Sequence, residues 1–366
     1  MDAADTRIRW RSWTVLVPLL AVVALALTWG RDAGSVVVIV VAAVLGAAVL
    51  AAVHHAEVVA HRVGEPFGSL VLAVAVTVIE VALIVTLMVS GGPGSASLAR
   101  DTVFAALMLT TTGIVGLSLL VGARKFHTIL FNAEGSGAAL ATVATLATLS
   151  LVLPTFTTSQ PGPEFSPAQL TFAALASLAL YGTFVLTQTV RHRDFFLPVA
   201  QEDHDEPDEH APPPTTRAAV VSLGLLLVAL VAVVGLAKVE SPAIEEAVAA
   251  VGFPPSFVGV VIAMLVLLPE TLAAVRAARR GRIQTSLNLA YGSAIASIGL
   301  TIPTIALASI WLDGPLVLGL GATQLVLLVL TMVVSVLTIV PGRATRLQGG
   351  VHLVLFAAFL FLAVNP

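Results

Sequence analysis

The stretch GEPFGSLVLAVAVTVIEVALIVTLMVS, Gly64–Ser90, decides how this chain is read. Behind Pro66 it is long enough to cross a bilayer as a helix, for which about 20 residues suffice. Its only ionisable side chain after that proline, Glu80, falls near the middle. A charged side chain at that depth costs about 3 kcal/mol or more, so one that persists faces a protein interior or a wet cavity and marks an ion or proton path. The pattern returns far down the chain in VVIAMLVLLPETLAAV, residues 260–275, where Glu270 is the only acid. One such glutamate in each half demands an explanation.

The surrounding composition places both in lipid. The 366 residues are 58% hydrophobic and 11% charged, against about 45–50% and about 25% in soluble domains, so the chain is an integral membrane protein. A net charge of -3 excludes nucleic acid as a partner, because the phosphate backbone demands a clustered basic face. The absence of cysteine removes disulfides, thiolate metal sites and Cys nucleophiles together. The first apolar run follows Arg7, Arg9 and Arg11 without a convincing small-residue cleavage site after Gly30, so it reads as a retained helix.

Outward from the two glutamates, apolar runs fall at roughly 13–29, 34–60, 67–90, 102–122, 135–154, 168–190, 217–236, 252–275, 284–311, 315–340 and 347–364. The expected fold is therefore an all-α polytopic membrane protein with eleven transmembrane helices. With the N-terminus in the cytoplasm, 15 of the 18 basic residues lie inside and only Arg31, Arg100 and Lys238 outside, as the positive-inside rule requires. Between helices six and seven, VAQEDHDEPDEHAPPPTT (Val199–Thr216) carries six acids, two histidines and four prolines; so few apolar residues predict a flexible cytoplasmic linker, solvated rather than regulatory. The chain thus divides into an N-terminal helix (1–30), a five-helix unit (34–196), the linker (197–216) and a second five-helix unit (217–366). An odd number per unit turns the second upside down relative to the first, the inverted-repeat plan of secondary transporters. The helices that follow the glutamates also correspond: one opens at Arg100 and ends in TTTGIVGLSLL, the other opens at Arg282 and ends in YGSAIASIGLTIP. Both are rich in the small and hydroxyl residues that let helices approach closely.

Two carboxylates converging near a midplane suit a small hard cation such as Ca2+, which takes six to eight oxygens. Pro269, lacking an N–H, should free the carbonyl of Leu265 beside Glu270. Thr111, Thr112, Asn288, Ser293 and Ser297 are candidates to complete the shell, although membrane Ser and Thr as readily bond their own preceding carbonyls. Once the cation leaves, two bare carboxylates repel each other and lose hydration, which favours taking up protons. Cation and proton then compete for one set of oxygens, the minimum mechanism of an antiporter.

These residues also carry a resemblance. The segments HAEVVAHRVGEPFGSLVLAVAVTVIEVALI, RDTVFAALM, FNAEGSGAALATV, TVRHRDFF and LLPETLAAVRAARRGRIQTSLNLAYGSAIASIGLTIP closely resemble the bacterial calcium/proton antiporters of the cation/proton exchanger branch of the calcium:cation antiporter superfamily. The resemblance covers nearly the whole chain after the first helix. It implies inverted repeats, Glu80 and Glu270 as the shared calcium and proton site, and exchange driven by the proton gradient across a bacterial cytoplasmic membrane. Where the family pattern has Asn before Gly in the first repeat, this chain has Thr112 before Gly113. Some relatives move sodium or potassium, so a monovalent cation/proton antiporter is the alternative. No cofactor is expected beyond the transported Ca2+ and H+.

Other polar residues invite weaker readings. His54, Glu57 and His61 stand at i, i+3 and i+7 near the inner end of one helix; they read as polar helix-end residues more than as metal ligands or a gate. Glu65 opens a helix, where the N-terminal dipole favours a carboxylate, and is also placed to mark a cytoplasmic entrance. Asn132 and Glu134 open another helix in the same way. Arg276, Arg279, Arg280 and Arg282 suit topology and anionic lipid. An intramembrane enzyme is disfavoured: Ser293 has no histidine nearby in sequence and no aspartate falls within an expected helix.

Overall fold

The computed structural model describes residues 12–31, 34–64, 67–90, 94–198, 214–311 and 314–366. Glu65 and most of the acidic linker lie outside them. In chain order the helices are α1 (Trp13–Thr28), α2 (Ser35–Val63), α3 (Phe67–Ser90), α4 (Leu98–Met108), α5 (Val115–Phe126), α6 (Ala133–Ala147), α7 (Leu153–Phe156), α8 (Pro167–Leu186), α9 (Thr216–Ala250), α10 (Phe257–Val266), α11 (Leu268–Arg279), α12 (Ile283–Ala308), α13 (Ala322–Ile339) and α14 (Arg346–Val364). Two wide, π-type turns carry α4 into α5 (Leu109–Ile114) and α6 into α7 (Thr148–Val152) without interrupting either helix.

Among the described residues, eight helices are long and apolar enough to span a bilayer, or nine if the bent pair α10–α11 is one span. The expected count of eleven then rests on two shorter apolar helices, Trp13–Thr28 and Val74–Val89. Among the described residues the all-helical expectation meets two small exceptions, a two-stranded antiparallel ladder of β1 (Ile129–Leu130) and β2 (Arg343–Ala344), pairing Ile129 with Ala344 and Leu130 with Arg343, and a single antiparallel bridge between Glu164 and Val317.

Two of the elements that depart from their expected ends carry charged groups. Hydropathy falls after Leu236, yet α9 runs on to Ala250 through Pro242, because AIEEAVAA is composed largely of good helix formers. Lys238, read as a loop residue, is therefore helical, with its ammonium 5.4 Å from the Trp29 ring centroid. Asp101, read as preceding a helix, lies in the first turn of α4 and is 4% exposed; the expectation that no aspartate enters a helix was wrong, because a carboxylate in the first turn meets unpaired backbone N–H groups and the positive end of the dipole.

The chain packs as two compact units. The first comprises residues up to Gly92 together with Glu206–Ala247, and so joins α1, α2 and α3 to most of α9. Within it α2 packs on both α1 and α3, His55 Nε2 lies 2.9 Å from the Thr14 carbonyl and Arg62 donates to Thr216 Oγ1 at 2.8 Å. Gly235 lets α9 close on α1: a Cβ there would fall 2.5 Å from Leu25 Cδ2. The second unit holds α4 to α8 and α10 to α14. Its α4–α5 span is the most enclosed, with 89% of its most apolar window buried, against 22% for α14. Small residues set its helix contacts: a Cβ on Gly259 of α10 would sit 2.7 Å from the Thr102 amide nitrogen of α4, and one on Gly349 of α14 2.6 Å from that of Leu120 on α5.

Candidate functional site

Glu80 lies on α3 and is 3% exposed, while Val74 and Val78 on the same helix are exposed. Thr77, Leu83, Ile84 and Leu87 are buried with it, the i−3, i+3, i+4 and i+7 positions of one face. The carboxylate thus belongs to the protein-facing stripe and not to the lipid-facing one.

Glu270 is 7% exposed, between the exposed Leu268 and Leu272. Its helix does not run straight: α10 and α11 meet at a 54° bend around Leu267, two residues before Pro269, which has no N–H to give. The break places Glu270 in the first turn of α11, where several N–H groups lack helical partners and negative charge is favoured. No proline lies within α3, which is continuous from Phe67 to Ser90. The two acids therefore sit in differently shaped helices, one in each packed unit.

The second unit brings most of the other candidates toward the Glu270 element, since α11 and α12 both pack against the wide turn Leu109–Ile114. Thr111 and Thr112 lie in that turn, each fully buried. Thr111 Oγ1 donates to the Leu107 carbonyl at 2.6 Å and Thr112 Oγ1 donates to the Met108 carbonyl. Both hydroxyls thus make the local bonds foreseen as the alternative to ion contact, while their oxygens keep lone pairs that can face a cation. On α12, Ser297 is 3% exposed and Ser293 is half-buried. Ser286 ties the elements together, donating to the Ala274 carbonyl at 2.8 Å with Ser118 Oγ 2.6 Å away as its second hydrogen-bond partner.

Asn288 occupies a structural joint. Its Nδ2 donates to the Phe196 carbonyl at 2.6 Å and its Oδ1 accepts from Gln284 Nε2 at 2.9 Å. Gln284 Oε1 in turn accepts from the Asn132 amide at 2.7 Å. Asn132 caps α6 as expected, its Oδ1 accepting from the amides of Glu134 and Gly135. Of the gate candidates, Glu57 and His61 are exposed and His54 is half-buried against Trp13, ring centroids 6.2 Å apart. No three His, Asp or Glu side chains among the described residues are grouped to hold a metal, so the metal-ligand reading of His54, Glu57 and His61 has no support.

Of the buried polar groups that escaped the reading of the sequence, three stand out. Glu240 on α9 is 2% exposed, with its Oε1 unpartnered among the described residues; it was passed over because the apolar run ends before it. Asp101 pairs with Arg100 at 2.8 Å, accepts from Ser97 at 2.8 Å, and lines a cavity of about 270 Å3 with Phe104, Gln324, Leu327 and Phe359. None of the predicted cation-binding residues lines that cavity. His352, the lone histidine of α14, is fully buried.

Comparison with known proteins identifies the family and the fold. Residues 33–190 and 221–365 match the family described as "Sodium/calcium exchanger protein". The Sinorhizobium fredii protein y4hA, named as an ionic transporter, is 45% identical over 97% of this chain and 96% of its own length. The Escherichia coli sodium-potassium/proton antiporter ChaA is 36% identical over 96% of each chain. Among solved structures, native YfkE superposes with a TM-score of 0.71 at 15% identity, covering 97% of this chain and 99% of that one. The H+/Ca2+ exchanger CAX does so at 0.70 and 16%, covering 98% and 89%. At such identities these two show a shared fold.

Proposed function

Since the chain belongs to the sodium/calcium exchanger protein family, we propose that it is a cation/proton antiporter in which Glu80 and Glu270 form one shared site, exporting Ca2+ across a bacterial cytoplasmic membrane in exchange for H+. The observation that carries this reading is the burial of both acids, 3% and 7% exposed, each the only acid of its apolar stretch, 67–90 and 260–275. Each keeps a carboxylate in a membrane protein's interior, where an uncompensated charge costs several kcal/mol.

The mechanism follows from charge. Two carboxylates are neutralised by one divalent ion or by two protons, so either loaded form is electrically inexpensive to carry between the two faces. The empty, doubly negative form is not, which blocks uncoupled return and enforces exchange. Thr111, Thr112, Ser293 and Ser297 would add neutral oxygens, and the helix break at Glu270 supplies backbone groups no longer committed to the helix. In this reading the two halves are inverted repeats that each contribute one glutamate to the shared site.

A second reading, Na+ or K+ in place of Ca2+, is favoured by the 36% identity to a protein named a sodium-potassium/proton antiporter. Calcium-45 uptake into everted vesicles, with sodium and potassium as competitors, separates the two. Under the first reading neither monovalent ion competes at tenfold excess. Under either, Glu80→Gln and Glu270→Gln should each reduce proton-coupled flux to the background of empty vesicles while the protein still inserts. Normal exchange in either variant overturns the shared site.

A further inference from the structure

We propose that His352 is a positioning residue for the cation path, holding the wide turn at Thr110–Thr112 in place by donating its Nδ1–H to the carbonyl of Thr111. In a regular α-helix that carbonyl would receive the N–H of Val115, four residues on. Here the Val115 N–H is directed instead to the carbonyls of Thr110 and Thr112. The Thr111 carbonyl has His352 Nδ1 3.0 Å away, reached from a different helix.

The hydrogen positions follow from the partners. A carbonyl only accepts, so Nδ1 carries the proton. In a neutral imidazole the other nitrogen is then an acceptor, and Thr338 Oγ1 lies 3.1 Å from Nε2 as its donor. Histidine and both threonines are shut away from solvent, at 0%, 0% and 2% exposure for His352, Thr111 and Thr338. The short reach of an imidazole is met because Gly349, one turn before His352, lets α14 lie against α5: a Cβ there would stand 2.6 Å from the Leu120 amide nitrogen and 3.0 Å from the Gly116 carbonyl oxygen. Gly116 makes the reciprocal gap, where a Cβ would stand 3.0 Å from the Leu353 amide nitrogen.

The consequence concerns the threonines. Without the imidazole donor, the buried Thr111 carbonyl regains a partner only if the turn tightens to α geometry, which takes out the extra residue. One residue is about 100° of helix, so tightening turns Thr111 and Thr112 away from the face they now present. The inference rests on the proposal that this turn lines the cation path. It assigns His352 no contact with the ion and no change of protonation.

The full-length protein in proteoliposomes tests it, with half-saturation and maximal rate measured separately for Ca2+ and for K+. His352→Leu removes the donor and should raise the half-saturation of the transported cation at least tenfold, with less than a threefold loss of maximal rate per inserted protein. His352→Asn, whose amide N–H occupies the Nδ1 position, should return half-saturation to within threefold of the original. If the leucine variant does not fold, His352→Gln serves, because its amide reaches the Nε2 position and Thr338 but leaves Thr111 without a donor; the same tenfold rise is expected. An unchanged half-saturation in the leucine or glutamine variant, or an asparagine variant as impaired as leucine, overturns the assignment. The outcome is distinct from failure of the shared-site reading, which would show as retained exchange in Glu80→Gln or Glu270→Gln.

Discussion

Among individual residues, the polar groups that carry charge and those that carry structure separate by what they touch. Asn288, singled out in the sequence as a site or gate residue, has both ends of its amide committed to Gln284 and the Phe196 carbonyl. Both bonds are only part-buried and each is worth about 0.5–1.5 kcal/mol, so Asn288→Ala should lower the melting temperature in detergent while leaving cation half-saturation unchanged. Thr112 donates within its own helix, and Thr112→Val should weaken cation affinity by less than about fivefold, as expected when a hydroxyl contributes one neutral oxygen of several. A flux assay across a cation titration checks both. The glutamates were legible because a lone charge in a long apolar run has no cheap explanation. Asp101, Glu240 and His352 were not, since the first two lie where apolar runs begin or end and a single histidine in α14 carries no pattern.

At the scale of elements, hydropathy locates helices but is blind to how they deviate. The bend at Leu267 was foreseeable from Pro269, whose missing N–H weakens the helix wherever it sits. The wide turn in α4–α5 was not, because Thr-Thr-Thr-Gly is compatible with an unbroken helix and the bond that supports the turn comes from a residue 241 positions away. If the break matters to transport, Pro269→Ala should straighten α10–α11 and reduce the initial exchange rate about tenfold with the protein still folded. The Gly349 contact makes a different prediction. A methyl group 2.6 Å from the Leu120 amide nitrogen must push α14 off α5, so Gly349→Ala should destabilise by about 1–3 kcal/mol, read as a drop in melting temperature.

For the whole molecule, the packed units do not coincide with the two halves of the chain. Most of α9 joins α1, α2 and α3, and the remaining helices form the second unit. Glu80 and Glu270 therefore belong to different units although each occupies the corresponding helix of its half. If protons and cation share the site, lowering the pH on the side where the cation binds should raise its apparent half-saturation, because protonated carboxylates must lose protons before binding it. Raising the pH should do the reverse until the acids are fully ionised. Initial rates at fixed opposite-side pH measure this. The chain has no cysteine, so single introduced cysteines report topology directly: Asp205→Cys should react with an impermeant maleimide only in everted vesicles, and Ser95→Cys only in intact cells.

Membrane residence, the helical runs and the two central acids were determined by the sequence alone, because lipid allows few ways to satisfy a backbone and penalises every stray charge. The partners of Asn288, the extension of α9, the wide turn and the imidazole beneath it were decided by tertiary structure. Each depends on a contact between residues distant in the chain, and close helix approach at Gly349 and Gly116 is what makes the last of them reachable.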